Sequence, residues 1–341
     1  MGVWFAMRYF ALLLVLSSTL AVADLPRSPP SPLERAEQQI GAGKLDEALA
    51  TLEQVPAKEA RRFILRGEIF RLKQDFAKAQ DELQKALAIQ PTLAQVRAER
   101  GALLIELGRN EEAAAELRRA VADKPELEDE WFNLGTVELQ LGRCKEAVTA
   151  FEMATQRKPK DASNWIERAR AELKCGKGDA ALASARRATQ LPKADAGSFL
   201  VLGFIAEKVK KLDDAADAYR RAQKLDDKSA AASWSLGLLE LGRDRPAQAV
   251  PELERAVALD PSAPKLTDLG RAKALLGKHD EAEKLFEQAL QKSPRYHGAR
   301  LLLGQLYVQK KRCKDLGRLL QPLEADPKHK AAVDKLRGDC K

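Results

Sequence analysis

Four cysteines and three histidines are the side chains of this 341-residue chain that are best suited to metal binding or catalysis. A zinc site would need such ligands at close spacings like Cys-x2-Cys, and no such spacing occurs. A catalytic centre would need a histidine placed beside a carboxylate or a thiol, and the spacing offers no such pair. We therefore predict no metal site, no cofactor, no small-molecule substrate and no enzymatic activity. The residues are Cys144, Cys175, Cys313, Cys340, His279, His297 and His329.

Two further patterns could indicate phosphate or nucleic-acid binding, and both have simpler interpretations. The run Gly41-Ala42-Gly43-Lys44 resembles part of a phosphate-binding loop, but it lacks the full Gly-x4-Gly-Lys-Ser/Thr pattern and is interpreted as a turn. The net charge is +8, but the 58 basic and 50 acidic residues are interspersed along the chain. This mixture is typical of a solvated helical surface, so we expect no nucleic-acid partner.

The N-terminus has the pattern of an export signal. Arg8 is the only charged residue in residues 1–23, and the segment ends in Ala21-Val22-Ala23, which suits a signal peptidase. The uncharged run 9–23 is shorter than the roughly 20 residues of a membrane span. We predict a cleaved signal peptide over 1–23, a proline-rich linker over 24–32, and a periplasmic or secreted protein. The alternative is an uncleaved membrane anchor that leaves the protein facing the periplasm.

An alanine recurs at a nearly fixed interval through most of the remaining chain. The interval is 31 residues at the first step and 33 or 34 at each later one. A period near 34 indicates helix–turn–helix repeats that stack on their neighbours. The alanines are Ala48, Ala79, Ala113, Ala147, Ala181, Ala215, Ala249 and Ala282, and Leu316 occupies the next place.

The residues around these alanines resemble the tetratricopeptide repeat (TPR) signature. In the repeat that begins at Glu128, the one clear departure is Glu138 at position 11, where an aromatic residue is usual. The resemblance implies an all-α fold, a right-handed superhelical solenoid of antiparallel helix pairs. The matching residues of this repeat are Trp131, Leu134, Gly135, Ala147, Phe151, Ala154 and Pro159.

The resemblance covers about nine repeats over residues 33–327, followed by a polar-faced capping helix over 328–341 of the kind that solenoid ends need. The first repeat is short and degraded. The predicted repeats are 33–59, 60–93, 94–127, 128–161, 162–195, 196–229, 230–262, 263–296 and 297–327.

The repeat register also suggests how the cysteines pair. Cys144 and Cys313 both stand at position 17, the start of a second helix, and Cys175 and Cys340 fall near the end of the helix that follows. An exported protein with an even number of cysteines favours disulfides. We predict the bonds Cys144–Cys175 and Cys313–Cys340. The alternative, preferred if the chain is not exported, is four unpaired thiols.

The resemblance further implies that the first helices line a concave groove, mainly through positions 2, 5, 9, 12 and 13 of each repeat. In the middle of the chain these positions are largely apolar, which would form a stripe suited to an amphipathic helix or an extended peptide. The alternative is that some of these side chains belong to the core within each repeat. The predicted groove residues are Phe132, Leu139, Ile166, Arg170, Leu173, Leu200, Phe204, Trp234, Leu238 and Leu241.

These observations favour a non-enzymatic scaffold that binds a protein or peptide partner in an assembly of the bacterial envelope. One alternative is a chaperone-like assembly or secretion factor for exported subunits. Another is a regulatory subunit of an envelope enzyme complex.

Overall fold

The computed structural model describes residues 29–324 and 327–340, so the predicted signal peptide lies outside the described residues. Within these ranges the secondary structure is helical and contains no strand. None of the described helices combines the length and the apolar character that crossing a membrane requires. The chain divides after Gln90 into two compact units.

The first unit contains two helix pairs. They are α1 (Pro32–Gly41), α2 (Leu45–Leu52), α3 (Ala60–Leu72) and α4 (Phe76–Ile89). Helix α1 begins with a capping box, in which the Ser31 hydroxyl accepts a hydrogen bond from the Glu34 backbone N–H and the Glu34 carboxylate accepts one from the Ser31 N–H. The core of these pairs is built mainly from Ala36, Ala48, Leu52, Leu65 and Ile69.

The second unit continues the same pattern to the end of the described chain. Each helix packs against the next along the chain, and first helices of neighbouring repeats also touch, as α9 and α11 do. The predicted all-α fold of successive helix pairs is therefore confirmed. The helices are α5 (Ala94–Glu106), α6 (Asn110–Asp123), α7 (Glu128–Gln140), α8 (Cys144–Arg157), α9 (Ala162–Lys174), α10 (Gly178–Thr189), α11 (Ala196–Lys208), α12 (Leu212–Leu225), α13 (Ala230–Gly242), α14 (Pro246–Leu259), α15 (Ala263–Leu275), α16 (His279–Lys292), α17 (His297–Gln309), α18 (Cys313–Leu320) and α19 (Pro327–Gly338), with a short 3-10 helix at Gln321–Leu323.

Small residues set the close approach of the helices in each pair. The recurring alanines Ala113, Ala147, Ala181 and Ala215 are all fully buried, which leaves room for the larger side chains between the helices. The final helix, α19, packs Val333 and Leu336 into the same cluster as residues of α17 and α18. It therefore covers apolar surface at the end of this unit.

In the turn inside each pair, the second residue after the end of the first helix adopts a left-handed backbone conformation. Glycine occupies this place at Gly43, Gly108, Gly142, Gly176 and Gly277, with φ between 70° and 76°. Non-glycine residues adopt the same conformation in other repeats, with φ between 57° and 65°. The turn geometry is therefore fixed by the fold even where the residue type does not favour it. The non-glycine residues are Gln74, Lys210, Asp244 and Lys311.

Candidate functional site

The candidate site is the first-helix face, which we define as the side chains at positions 5, 9, 12 and 13 of helices α7, α9, α11, α13 and α15. Phe204 and Arg170 are exposed, and the Phe204 side chain is 47% exposed. Leu241, by contrast, is buried in a core cluster with Leu253 and Leu269. The half-buried members are Phe132, Leu139, Ile166, Leu173, Leu200, Trp234 and Leu238.

Most of the half-buried side chains pack into the core of the second unit. Phe132 stands edge-on to Phe151, with ring centroids 5.7 Å apart and an interplanar angle of 77°. Leu139 packs on the same cluster, and Leu173 and Leu200 pack on the core around Tyr219. The face therefore differs from the continuous apolar stripe expected from the sequence, because position 5 and position 12 residues turn partly into the layer between helices.

Trp234 serves chiefly as a link between two first helices. Its indole Nε1 donates a hydrogen bond of 2.9 Å to Oδ2 of Asp268 on α15. The ammonium of Lys265 lies 5.0 Å from the centroid of the indole ring, a cation–π distance. Burial raises the pKa of Asp268, although the indole hydrogen bond and the charge of Arg271 act in the opposite direction. Trp234 is thus held by polar contacts on both sides and is not a free apolar contact.

Lys208 lies beside the exposed ring of Phe204, and two further cations, Arg170 and Lys174, stand on the neighbouring first helix α9. Lys208 Nζ lies 5.2 Å from the Phe204 centroid, and Lys174 Nζ donates a 2.8 Å hydrogen bond to the backbone carbonyl of Leu139. Neither ammonium forms an ion pair with a carboxylate of the described residues. Arg170 is exposed and pairs with Glu167 at 2.5 Å. The centre of the first-helix face therefore combines one exposed aromatic ring with cations that can reach a ligand.

A row of buried charges occupies position 11 of several first helices, and sequence reasoning missed it. Glu138, Glu172 and Glu240 are each less than 5% exposed, and each faces an arginine. The pattern continues at Lys273, which contacts Glu254 at 2.6 Å and Glu281 at 2.8 Å. The departure from the TPR signature at Glu138 was the available signal, because a glutamate in a core position requires a buried partner.

The cysteines divide into a bonded pair and an unbonded one. Cys313 and Cys340 form a disulfide with a Cα–Cα distance of 5.6 Å. Cys144 and Cys175 are free and half-buried, so the second predicted bond is not formed in this structure. Burial, followed by the neighbouring Cys144 thiol, raises the pKa of Cys175 to about 11.

Two of the three histidines lie against each other. His297 and His329 stack with ring centroids 4.8 Å apart. Among the described residues, no group of three or more histidine, cysteine, aspartate or glutamate side chains is arranged to hold a metal ion.

Comparison with known structures shows the same architecture elsewhere. The C-terminal part of a TPR protein from Cytophaga hutchinsonii matches 68% of this chain and 96% of its own, with 13% identity and a TM-score of 0.58. A TPR protein from Parabacteroides merdae matches 72% of this chain and 98% of its own, with 14% identity and a TM-score of 0.53. A chain of the APC/C hetero-tetramer Cut9–Hcn1 matches 88% of this chain with 19% identity and a TM-score of 0.50, and this chain spans 59% of that chain's length.

Family models give the assignment. No curated protein sequence is significantly similar to this chain. Models of the tetratricopeptide repeat match residues 98–162, 132–199, 201–264 and 273–340, which together make up more than half of the chain. The TPR fold supports a role as a protein–protein interaction scaffold, and TPR proteins are generally non-enzymatic. This chain therefore belongs to the tetratricopeptide repeat family.

Proposed function

We propose that this protein is a scaffold that binds an acidic, partly apolar segment of a partner protein on the first-helix face. The observation that carries the proposal is the exposed ring of Phe204 beside Lys208, with Arg170 and Lys174 on the neighbouring first helix. An exposed aromatic side chain in such a place offers a large contact area at a small cost in conformational entropy.

The charges favour an acidic partner over a basic one. Lys174 and Lys208 have no carboxylate partner among the described residues, so a bound aspartate or glutamate would meet an available ammonium. Carboxylates of the same helices are already engaged, since Glu207 accepts a hydrogen bond from the Tyr219 hydroxyl at 3.2 Å and Glu167 pairs with Arg170. A basic segment would instead meet like charges, which lower the affinity of the face for it.

We further propose that the protein works outside the cytoplasm, in a bacterial envelope assembly. The support is the sequence of residues 1–23, with Arg8 ahead of an uncharged run that ends in Ala21-Val22-Ala23. Sequencing the N-terminus of protein recovered from the cell envelope checks this part. A chain that begins at Asp24 agrees with a cleaved signal. A chain recovered in the cytoplasm with residues 1–23 intact would exclude export.

The binding test uses two fluorescein-labelled amphipathic peptides with the same leucine and phenylalanine positions. One carries glutamates on its polar face and the other carries lysines. The acidic peptide is expected to bind, and Phe204→Glu or Lys208→Glu should weaken it at least about tenfold, as the loss of about 1.4 kcal/mol or more would. Fluorescence anisotropy gives both affinities.

The matched control is Leu225→Glu, which also replaces an exposed apolar residue but lies at the end of the second helix α12, where Leu225 is 55% exposed. Leu225→Glu should bind the acidic peptide as the unmodified protein does. Equal binding of both peptides would refute the charge argument. If Leu225→Glu and Phe204→Glu lose affinity for the acidic peptide equally while both variants stay helical, the first-helix face is not the binding site.

A further inference from the structure

The two cysteine pairs occupy equivalent places in the fold. Cys144 is the first residue of α8, and Cys313 is the first residue of α18. Their partners lie at the end of the helix that follows along the stack, Cys175 as the C-cap of α9 and Cys340 just after α19. One of these two arrangements carries a disulfide, and the other carries two thiols.

The backbone around the unbonded pair is already fixed by hydrogen bonds. The Cys175 N–H donates to the Ala171 carbonyl at 2.9 Å, and the Cys144 N–H donates to the Gly142 carbonyl at 3.0 Å. The side chain of Cys175 packs on the cluster that contains Ala147 and Phe151. Cys175 at the end of α9 therefore packs against α8, the helix whose first residue is Cys144. In the equivalent arrangement, Cys313 and Cys340 are joined by a disulfide.

We propose that Cys144 and Cys175 form a redox modification site that takes up and releases a disulfide by exchange with a small-molecule or protein disulfide. The inference does not depend on which partner the first-helix face binds. Oxidation would tie the start of α8 to the end of α9, as the existing bond ties α18 to the end of the chain.

The exchange proceeds in two balanced steps. One cysteine loses its proton and attacks a sulfur of the incoming disulfide, which forms a mixed disulfide and releases one thiolate of the donor. The second cysteine loses its proton and attacks the mixed disulfide at the protein sulfur, which forms the Cys144–Cys175 bond and releases the second donor thiolate. The two protons pass to the two released thiolates, so the protein loses two electrons and the donor is reduced.

Both cysteines are partly shielded from solvent. Each is half-buried, and the raised pKa of Cys175 keeps its thiol protonated at neutral pH. Since the thiolate is the nucleophile, the exchange should accelerate as the pH rises from 7 to 9. Reduction by excess dithiol should restore both thiols, which distinguishes a modification site from a permanent crosslink.

The experiment uses the full chain with Cys313→Ser and Cys340→Ser, so that only the pair of interest remains. The protein is exposed to oxidised glutathione, alkylated, digested and mapped by mass spectrometry, and circular dichroism confirms that it is helical. The expected result is a peptide linked through Cys144 and Cys175, lost again on treatment with dithiothreitol. A matched Cys175→Ser variant should stop at a mixed disulfide of Cys144 with glutathione.

Three results would overturn the inference. In the first, both thiols stay free in excess oxidised glutathione. In the second, both residues carry a mixed disulfide with glutathione and no 144–175 disulfide forms. In the third, disulfides form only between molecules. If the double-serine protein does not fold, the same peptide map of the unmodified protein decides the question, because digestion separates a 144–175 link from a 313–340 link. A 144–175 link already present on isolation also supports the site if dithiothreitol opens it and glutathione restores it.

Discussion

Gly203 on α11 faces the ring of Tyr219 on α12 so closely that a Cβ on residue 203 would lie 2.4 Å from Cε1 of the tyrosine. The same relationship recurs in other repeats, where a Cβ on Gly270 would lie 2.6 Å from the Phe286 ring. Glycine is therefore required at this place because the partner helix brings an aromatic side chain against its backbone. In these two pairs the separation of the helices depends on this contact.

Gly203→Ala should lower the free energy of unfolding by about 1–3 kcal/mol, because the added methyl group overpacks a layer that contains the buried Tyr219 ring. Urea denaturation followed by circular dichroism measures the effect. The matched control is Gly317→Ala in α18, where nothing lies within 4 Å of the added Cβ. That change should raise stability by up to about 1 kcal/mol, as alanine does inside an exposed helix. If both variants lose stability equally, the Tyr219 contact does not explain the glycine.

The recurrence of these small residues explains why the fold could be predicted from the sequence. Gly135, Ala147 and their equivalents set the helix spacing, and residues with so strict a steric role repeat visibly at a fixed interval. The family and the all-α fold followed from that interval and are confirmed. The same reasoning suggested which first-helix positions face outward, but it did not show how deeply each side chain is buried.

How deeply each side chain of the candidate site is buried depends on the direction in which it points, and a repeat register does not fix that direction. Phe132 and Phe204 stand at positions 5 and 9 of their repeats, yet Phe132 turns onto Phe151 while Phe204 stays in water beside Lys208. The buried charges at position 11 escaped for a related reason. Their arginine partners occupy different places in the repeats, since Arg118 of α6 pairs with Glu138 of α7 whereas Arg168 pairs with Glu172 within α9, and such varied pairs leave no periodic signal.

The left-handed turn residues give a second prediction. Lys210 adopts φ 65°, a conformation that costs an L-residue with a Cβ roughly 1–2 kcal/mol and costs glycine little. Lys210→Gly should therefore raise the free energy of unfolding by about 1 kcal/mol, and thermal denaturation should show a higher midpoint.

The reverse change serves as the control. Gly142 stands at the same place in its own turn with φ 75°, and nothing lies within 4 Å of an added Cβ. Gly142→Ala should lower stability by a similar amount through backbone strain alone. A stabilising effect of Gly142→Ala would show that the turn relaxes out of the left-handed region.

The buried glutamates give a third prediction, in which two residues at the same register behave differently. Glu138 and Glu172 are each 1% exposed. Glu172 accepts hydrogen bonds from Arg168 Nε at 2.8 Å and Ser184 Oγ at 2.7 Å. Neither carboxylate oxygen of Glu138 accepts a hydrogen bond from the described residues, although Arg118 approaches it at 2.5 Å. The Glu172 carboxylate therefore has hydrogen-bond donors, whereas the Glu138 carboxylate has none among the described residues.

Glu172→Phe should lower the free energy of unfolding by about 1–3 kcal/mol, because the buried Ser184 hydroxyl and the Nε–H of Arg168 lose their acceptor. Glu138→Phe should leave stability unchanged or raise it by about 1 kcal/mol. An open cleft of about 300 Å³ beside Glu138 leaves room for the ring, and Arg118, with its side chain 45% exposed, can turn to water. Urea denaturation of the two variants side by side tests the contrast. Equal losses would mean that the Glu138 ion pair stabilises the fold without hydrogen bonds.

Glu283 gives the pH dependence of the C-terminal repeats. Burial by itself would raise the pKa of this carboxyl group, but hydrogen bonds from Lys310 and Arg312 outweigh it and hold the pKa below its ordinary value. The Lys310 Nζ lies 2.7 Å from Oε2, and Arg312 NH1 donates to Oε1. Because the pKa is lower in the folded chain than in the unfolded one, this ion pair stabilises the fold fully above the unfolded pKa of about 4.3.

Stability contributed by Glu283 should therefore disappear as the pH falls through the folded pKa. The free energy of unfolding, measured by urea denaturation between about pH 3 and pH 7, should fall less steeply at the acid end in Glu283→Gln than in the unmodified protein. At pH 7 the variant should be the less stable of the two, because Lys310 and Arg312 lose a charged partner. Glu287→Gln, on the exposed side of the same helix, is the matched control and should follow the unmodified curve. Parallel curves for Glu283→Gln and the unmodified protein across the whole range would show that Lys310 and Arg312 do not hold the Glu283 carboxylate in solution.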